Sequence, residues 1–388
     1  MPVENWVSRQ LDELVEFRRD LHRNPELLYD VERTATKVAE ALRAAGVDEV
    51  VTGLGRTGVV GVIRGKTDTR GRMIGLRADM DALPIHEATG KPWASTKPGV
   101  MHACGHDGHT TMLLGAARQL AESRAFDGTV IVIFQPAEEG GAGAKAMMDD
   151  GLFELFPVQE VYGLHNQPGL PIGHFAIRSG PVMASVDEIR IRVEGIGGHA
   201  AFPHETVDPV TVTAALIQAV QTIVSRNVDP LKSAVVSITT INGGDAFNII
   251  PTAITLTGTV RTLDEVVRNL VEKRLRKAVA GIGEAFEAKA ELEYIRRYPV
   301  TINNVEKVEK AVRAATEVAG APNVQTDLAP TMGGEDFAFM LEAVPGAMIF
   351  AGNGPSAGLH HPEYDFNDEL IPWGCSYWTT LVRQLLAD

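Results

Sequence analysis

Between Val7 and Gly46 the apolar positions recur at helical spacing. Leu11, Leu14, Val15, Arg18 and Leu21 mark one apolar-leaning face, and Val31 to Ala45 mark a second helix. Between them lies His22-Arg23-Asn24-Pro25-Glu26-Leu27, where Pro25 predicts a break and His22 reads as a capping or buried hydrogen-bonding residue. Three strand-like runs follow, each ending in polar chemistry. Met73–Arg77 leads into Ala78-Asp79-Met80-Asp81, Thr129–Phe134 into Gln135-Pro136-Ala137-Glu138-Glu139, and Val161–Leu164 into His165-Asn166. Helical segments at Thr110–Ser123 and Ala142–Leu152 separate them. Nearly continuous apolar strands alternating with helices predict an α/β fold whose mostly parallel central sheet is covered on both faces.

Near Met183 the period changes. Ser185–Val193 alternates like a half-exposed strand, and Pro209–Arg226 reads as a helix. Ser233–Ile241 and Ala253–Thr262 read as strands, Asp264–Lys289 as a helix and Glu291–Arg297 as a last strand. The order β-α-β-β-α-β is that of a ferredoxin-like module. Thr301–Ala319 is helical and returns to the earlier style, so the module is an insertion. The expected organisation is a discontinuous domain of residues 1–183 and 299–388 with an inserted domain of residues 184–298.

Bulk properties narrow the function. The chain has 388 residues, 45% of them hydrophobic and 22% charged. A formal net charge of −14 argues against nucleic acid or an anionic membrane surface as a partner. Two cysteines, Cys104 and Cys375, exclude a disulfide framework. The start, Met1-Pro2-Val3-Glu4-Asn5-Trp6, has no basic region or long apolar run, so a cytoplasmic location is expected.

The densest chemistry lies in Met101-His102-Ala103-Cys104-Gly105-His106-Asp107-Gly108-His109. Thiolate and imidazole are donors that borderline divalent metals prefer. Cys104 and His106 alternate, so an extended segment would point both to one side. Asp81, Glu138, Glu139 and His165 all follow the carboxyl ends of strand-like runs, where ligand sites of such sheets gather. With Cys104, His106, Glu139, His165 and one histidine of Leu359-His360-His361-Pro362, there are too many donors for one tetrahedral ion. They suit two ions sharing a bridge. Glu138 is left over beside a donor, where a general base belongs.

At this point the chain resembles the M20 metallopeptidase family, and within it the amidohydrolase branch of hippurate hydrolases and N-acyl-amino-acid deacylases. The resemblance runs in order through Arg18–Leu27, Arg77–Pro84, Met101–His109, Gln135–Gly140, Gly163–Asn166, Gly197–Pro203, Gly333–Phe337 and Leu359–Pro362. It implies Cys104 as the bridge between two divalent ions (manganese, zinc, cobalt or nickel), with His106, Glu139, His165 and His360 completing the sites and Glu138 as base. It further implies that Asp81 orients a ligand and that Asp79, a histidine ligand in other branches, does not coordinate. His109 and Gly333–Phe337 would line or brace the site. The inserted module resembles the family's lid and dimerisation domain. There His199 would steady the oxyanion, while Asn248 and Arg261 would bind the substrate carboxylate or oxyanion.

The implied reaction is hydrolysis of an N-acyl-L-amino acid to a carboxylic acid and a free amino acid by a homodimer or homotetramer. A dipeptidase or aminopeptidase on the same scaffold is the alternative, and a non-catalytic metal-dependent binding protein is a weaker one.

Overall fold

The structure, a computed structural model, describes residues 5–387. The reading of the N-terminus rests largely on Met1–Glu4, which lie outside the described residues. The chain divides into two compact units. One comprises residues up to Gly180, Ile302–Ala329 and the chain from Asp336; the other comprises Pro181–Thr301 and Pro330–Glu335. Each unit has its own apolar core.

The first unit is built on an eight-stranded, mostly parallel sheet. Its strand order is Glu49–Leu54, Gly58–Arg64, Thr129–Gln135, Met73–Asp79, Glu160–Gln167, Gly346–Gly352, Phe175–Ala176 and Val324–Gln325. The four strands from Thr129–Gln135 to Gly346–Gly352 run parallel. Thr129–Gln135 is buried along its whole length, as expected for a strand covered on both faces. Full burial of each Val or Ile there contributes roughly 1.5–3 kcal/mol.

Chain order departs from sheet order at one point that matters. Met73–Asp79 pairs with the next strand, Thr129–Gln135, on one side and with the following one, Glu160–Gln167, on the other. The connections therefore diverge around the carboxyl end of Met73–Asp79, the kind of crevice in which open α/β sheets bind ligands.

The periodicity reading lacks the Glu49–Leu54/Gly58–Arg64 hairpin, Gly346–Gly352 and the two-residue strands Phe175–Ala176 and Val324–Gln325 of this sheet. The Glu49–Leu54/Gly58–Arg64 hairpin is short and glycine-rich, with positive φ at Gly53, where the strand register shifts, and at Gly55 and Arg56 in the turn, which interrupts any simple alternation. Gly346–Gly352 is a continuous buried run, adding a fourth parallel strand beside Glu160–Gln167. Helix ends also differ. The helix expected from Thr110 begins at His106, and the one expected to reach Lys289 stops at Ala285, with Glu287 in a left-handed conformation two residues later.

The second unit contains a four-stranded antiparallel sheet ordered Ala234–Asn242, Ala253–Thr262, Ser185–Glu194, Lys289–Tyr298. Helices Pro209–Asn227 and Glu265–Ala285 supply its core together with the sheet's alternate residues. Each helix starts on an aspartate, Asp208 or Asp264, whose side chain accepts main-chain N–H groups of the first turn. The central strands alternate buried and part-exposed residues, the period-two signature of a sheet with one covered face.

Candidate metal centre and its bracing

Cys104 and His106 converge for a reason other than strand alternation. Gly105, with φ +88°, turns the chain left-handed, and His106 is already the first residue of the Ser123-ending helix. A Cβ added at Gly105 would lie 2.3 Å from Asn166 Nδ2 and 2.5 Å from the Tyr364 hydroxyl, so only glycine fits this turn. That helix is buried against Asn5–Arg23 and Ile371–Leu385, which holds its N-terminus in place.

Three of the donor groups that result contain the expected ligands. Donor atoms of Cys104, His106 and His165 lie within 4.8 Å of one another, and so do those of Cys104, Glu139 and His360. Cys104 is common to both. The third group, His106, Glu138 and Glu139, puts the Glu138 carboxylate within the same 4.8 Å reach of the other two. Individual contacts are Cys104 Sγ to His165 Nε2 at 3.4 Å and His360 Nε2 to Glu139 Oε1 at 3.1 Å. His360 reaches this position with φ +63° while its main-chain N–H donates to the Ala103 carbonyl at 2.8 Å. His361 instead turns its Nδ1 to the Glu363 N–H.

Hydrogen bonding sets the donor faces. His106 Nδ1–H donates to the Asp81 carbonyl at 2.8 Å, and His165 Nδ1–H donates to the Asn166 carbonyl at 2.7 Å. Each ring thereby presents Nε2 to the cluster, the arrangement that orients a metal-ligating imidazole. His106 Nε2 and Glu139 Oε1 are buried without a hydrogen bond of good geometry. Buried polar atoms left this way call for a partner. A thiolate, three imidazoles and a carboxylate arranged in two groups around one sulfur fit two borderline divalent ions.

The electrostatics agree. Burial pushes the His106 imidazole toward neutrality, but Asp79, Asp81 and Glu139 outweigh it and hold its pKa up at about 10. The carboxylates thus recruit a positive charge to the place where a cation would sit. Burial takes His165 the other way, well below the usual histidine range, which suits a neutral ligand. For Glu139, burial opposes ionisation, yet the His360 imidazole at 3.1 Å and the charge on His106 lower its pKa.

Neighbouring groups brace this cluster. Asp81 accepts the Glu138 N–H on Oδ1 at 3.0 Å and the Glu139 N–H on Oδ2 at 3.1 Å, so one carboxylate holds the turn carrying both glutamates. Burial raises the Asp81 pKa. Asp79 is engaged by Arg77 Nη1 at 2.8 Å and by His109 Nδ1 at 2.6 Å, and lies 3.7 Å from His106 Nε2. His109 Nε2 accepts the Asn166 N–H at 2.9 Å, which steadies the residue after His165. His22 is buried and bonded to Asp107 at 2.8 Å and Glu87 at 3.3 Å, the satisfied role expected for it. The sequence does not single out Arg77, Gln135 and Asn166; their signal is a polar residue in or at the end of an otherwise fully buried strand.

His199, Asn248 and Arg261 belong to the second unit. His199 and Asn248 are neighbours there: His199 pairs with Ile249 in a two-residue ladder, and the Ala200 N–H donates to the Asn248 carbonyl at 3.1 Å. Both are exposed. Arg261, on Ala253–Thr262, is part-buried, and its side chain makes no hydrogen bond or ion pair among the described residues. Burial lowers its pKa, with Asp187 opposing. Gly334 lies against it, its would-be Cβ 3.3 Å from Arg261 Nη1.

Comparison with known proteins accords with this geometry. Residues 75–384 match the family described as Peptidase family M20/M25/M40. The chain belongs to the M20 peptidase family. Within it, the chain is 46% identical over 386 residues to a hippurate hydrolase of Campylobacter jejuni, covering 98% of this chain and 100% of that one. It is 42% identical over 360 residues to an N-acetyl-L-cysteine deacetylase of Bacillus subtilis, covering 92% and 85%. A Bacillus subtilis crystal structure described as a dinuclear metal binding peptidase from M20 family superposes with a TM-score of 0.85 at 35% identity, covering 98% and 99%. This M20 chain is a metal-dependent amidohydrolase of the branch that contains hippurate hydrolase and deacetylases.

Proposed function

We propose that this M20 amidohydrolase cleaves the amide bond of N-acyl-L-amino acids, hippurate-like or N-acetyl, to a carboxylic acid and a free amino acid. The observation that carries the reading is Glu138: a buried carboxylate within reach of His106 and Glu139, beside two donor groups that share Cys104. Cys104, His106, Glu139, His165 and His360 would hold two divalent ions of manganese, zinc, cobalt or nickel. When bound, such a pair supplies Lewis-acid polarisation and makes water more acidic.

The chain's residues do the rest. Glu138 takes a proton from the attacking water and returns it to the leaving nitrogen, so one group is base and then acid. The water oxygen bonds to the amide carbon, and the C–N bond breaks as the nitrogen is protonated. Asp81 keeps the Glu138–Glu139 turn in register during both transfers. Cys104 acts as a metal thiolate and not as a nucleophile. From the inserted unit, His199 steadies the oxyanion, and Asn248 and Arg261 bind the substrate carboxylate or oxyanion, Arg261 with its planar fork. That the Arg261 side chain has no hydrogen-bond or ion-pair partner among the described residues supports a ligand-binding role. The inserted unit serves as lid and dimerisation domain in a homodimer or homotetramer; exposed Ile241 on the edge strand Ala234–Asn242 supports a covered edge.

The test is amino-acid release from a panel of N-benzoyl and N-acetyl amino acids after chelation and reloading with each metal. Release restored by metal supports the proposal. Cleavage of dipeptides alone would move the chain to the peptidase reading.

A further inference from the structure

Arg77, Gln135 and Asp336 are polar side chains enclosed in the interior of the first unit, at 1%, 0% and 0% exposure. Buried charge persists only where it is paired and its remaining hydrogen-bonding positions are filled. Here they are filled closely. Arg77 Nη2 lies 3.0 Å from Asp336 Oδ1, and Arg77 Nε donates to Gln135 Oε1 at 2.8 Å. Gln135 Nε2 donates to both oxygens of Asp336, at 2.8 and 2.9 Å. The Ala144 N–H donates to Asp336 Oδ2 at 2.9 Å. The other end of the arginine fork, Nη1, meets Asp79.

These contacts immobilise one residue from three directions, and that residue touches the base. The Asp336 main-chain N–H donates to Glu138 Oε1 at 3.4 Å. Ala144 lies just beyond the Glu138–Gly141 turn, so the Asp336 side chain is tied to the same stretch whose glutamate its main chain meets. A glutamate has several rotatable bonds, and a base must be held near one geometry to transfer a proton efficiently. Asp81 secures the Glu138 main chain. Nothing in that contact restrains the carboxylate at the far end of the side chain.

We propose that Asp336 is a positioning residue: its carboxylate, clamped by Arg77, Gln135 and the Ala144 N–H, holds its own main-chain N–H against Glu138 and so fixes the rotamer in which Glu138 meets the water. This assigns a role to the aspartate of Gly333–Phe337 that is distinct from lining the site. The proposal rests on Glu138 being the base, and its test separates the two ideas.

The variants are Asp336→Asn, which keeps the shape but turns an amide toward groups that donate, Glu138→Gln, and the double variant. Steady-state kinetics, metal content and a crystal structure of Asp336→Asn are measured. Asp336→Asn should lower kcat about 100-fold with KM within about 2-fold, because misplacement of a catalytic group costs turnover and not binding. Metal content should stay at the wild-type level. Added to Glu138→Gln, the substitution should cost nothing further, the non-additivity expected of a residue acting through another. The crystal structure should show the Glu138 carboxylate displaced.

Wild-type kcat in Asp336→Asn, full additivity with Glu138→Gln, or an unmoved Glu138 would each overturn the proposal. If Asp336→Asn does not fold, Gln135→Met removes one clamp and takes the same measurements with a smaller expected loss. A wild type silent on every N-acyl amino acid would sink the functional reading instead, and the position of Glu138 in the crystal would then decide this one.

Discussion

In the first unit His106 and His165 are buried, and each commits its Nδ1–H to a main-chain carbonyl; in the second, His199 is exposed and its Nδ1 accepts the Ala201 N–H at 3.1 Å. The carboxylates and the guanidinium group assigned to the site follow the same division. Asp79, Asp81 and Asp336 each have their oxygens engaged by named donors, whereas Arg261 has no ion-pair partner among the described residues. Donors organised before any ligand arrives lower the cost of the chemical step. A group without partners is available to a ligand but must be ordered by it. The first unit should therefore govern metal retention and proton transfer, and Arg261 of the second should govern substrate affinity.

The largest effect should come from the atom common to both donor groups. Cys104→Ser replaces a thiolate with a poorly coordinating hydroxyl, and elemental analysis should show both ions lost together, with turnover down about 100-fold or more. Loss of one ion alone would show that Cys104 does not serve both groups. In the second unit, Arg261→Lys keeps the charge but removes the fork, so KM should rise about 10-fold with kcat within about 2-fold. A fall in kcat at constant KM would break the comparison, because it would put Arg261 in the chemical step.

A smaller effect should appear in stability alone. Glu160 is buried and meets Tyr162, Lys307, Lys310 and Arg72. Burial opposes its ionisation, but these partners prevail and lower its pKa below 4.5. Its stabilising contribution is therefore fully present above pH 4.5 and lost as pH falls through the lowered value. Glu160→Gln should cost about 3 kcal/mol at neutral pH and flatten the acid limb of a denaturation-against-pH curve. An unchanged acid limb would mean that another carboxylate sets it.

How much of this was legible beforehand depended on locality. Donors packed into Met101–His109 announce themselves because spacing and chemistry sit in one stretch. The β-α-β-β-α-β order was legible because each element is long and regular, and the central sheet because its strands are almost wholly apolar. The route by which Cys104 and His106 converge was not, since it depends on a left-handed glycine starting a helix four residues early. The hairpin at Glu49–Arg64 and the strand Gly346–Gly352 escaped because short or uniformly apolar runs have no diagnostic period. Arg77, Gln135 and Asn166 escaped for a different reason. Their partners are distant in sequence: Arg77 and Asp336 stand 259 positions apart, and Asn166 and Cys104 stand 62 apart. Only the folded chain shows which buried polar groups satisfy one another.

The central claim is that Glu138 moves the proton while other residues hold the metals. The direct measurement is metal content and steady-state turnover of Glu138→Gln beside the wild type, on an N-acyl amino acid that the wild type hydrolyses. The account predicts unchanged metal content with kcat reduced by about 100- to 10,000-fold, the range expected for loss of a general base. Wild-type kcat in that variant, or loss of turnover that merely follows loss of metal, would contradict it.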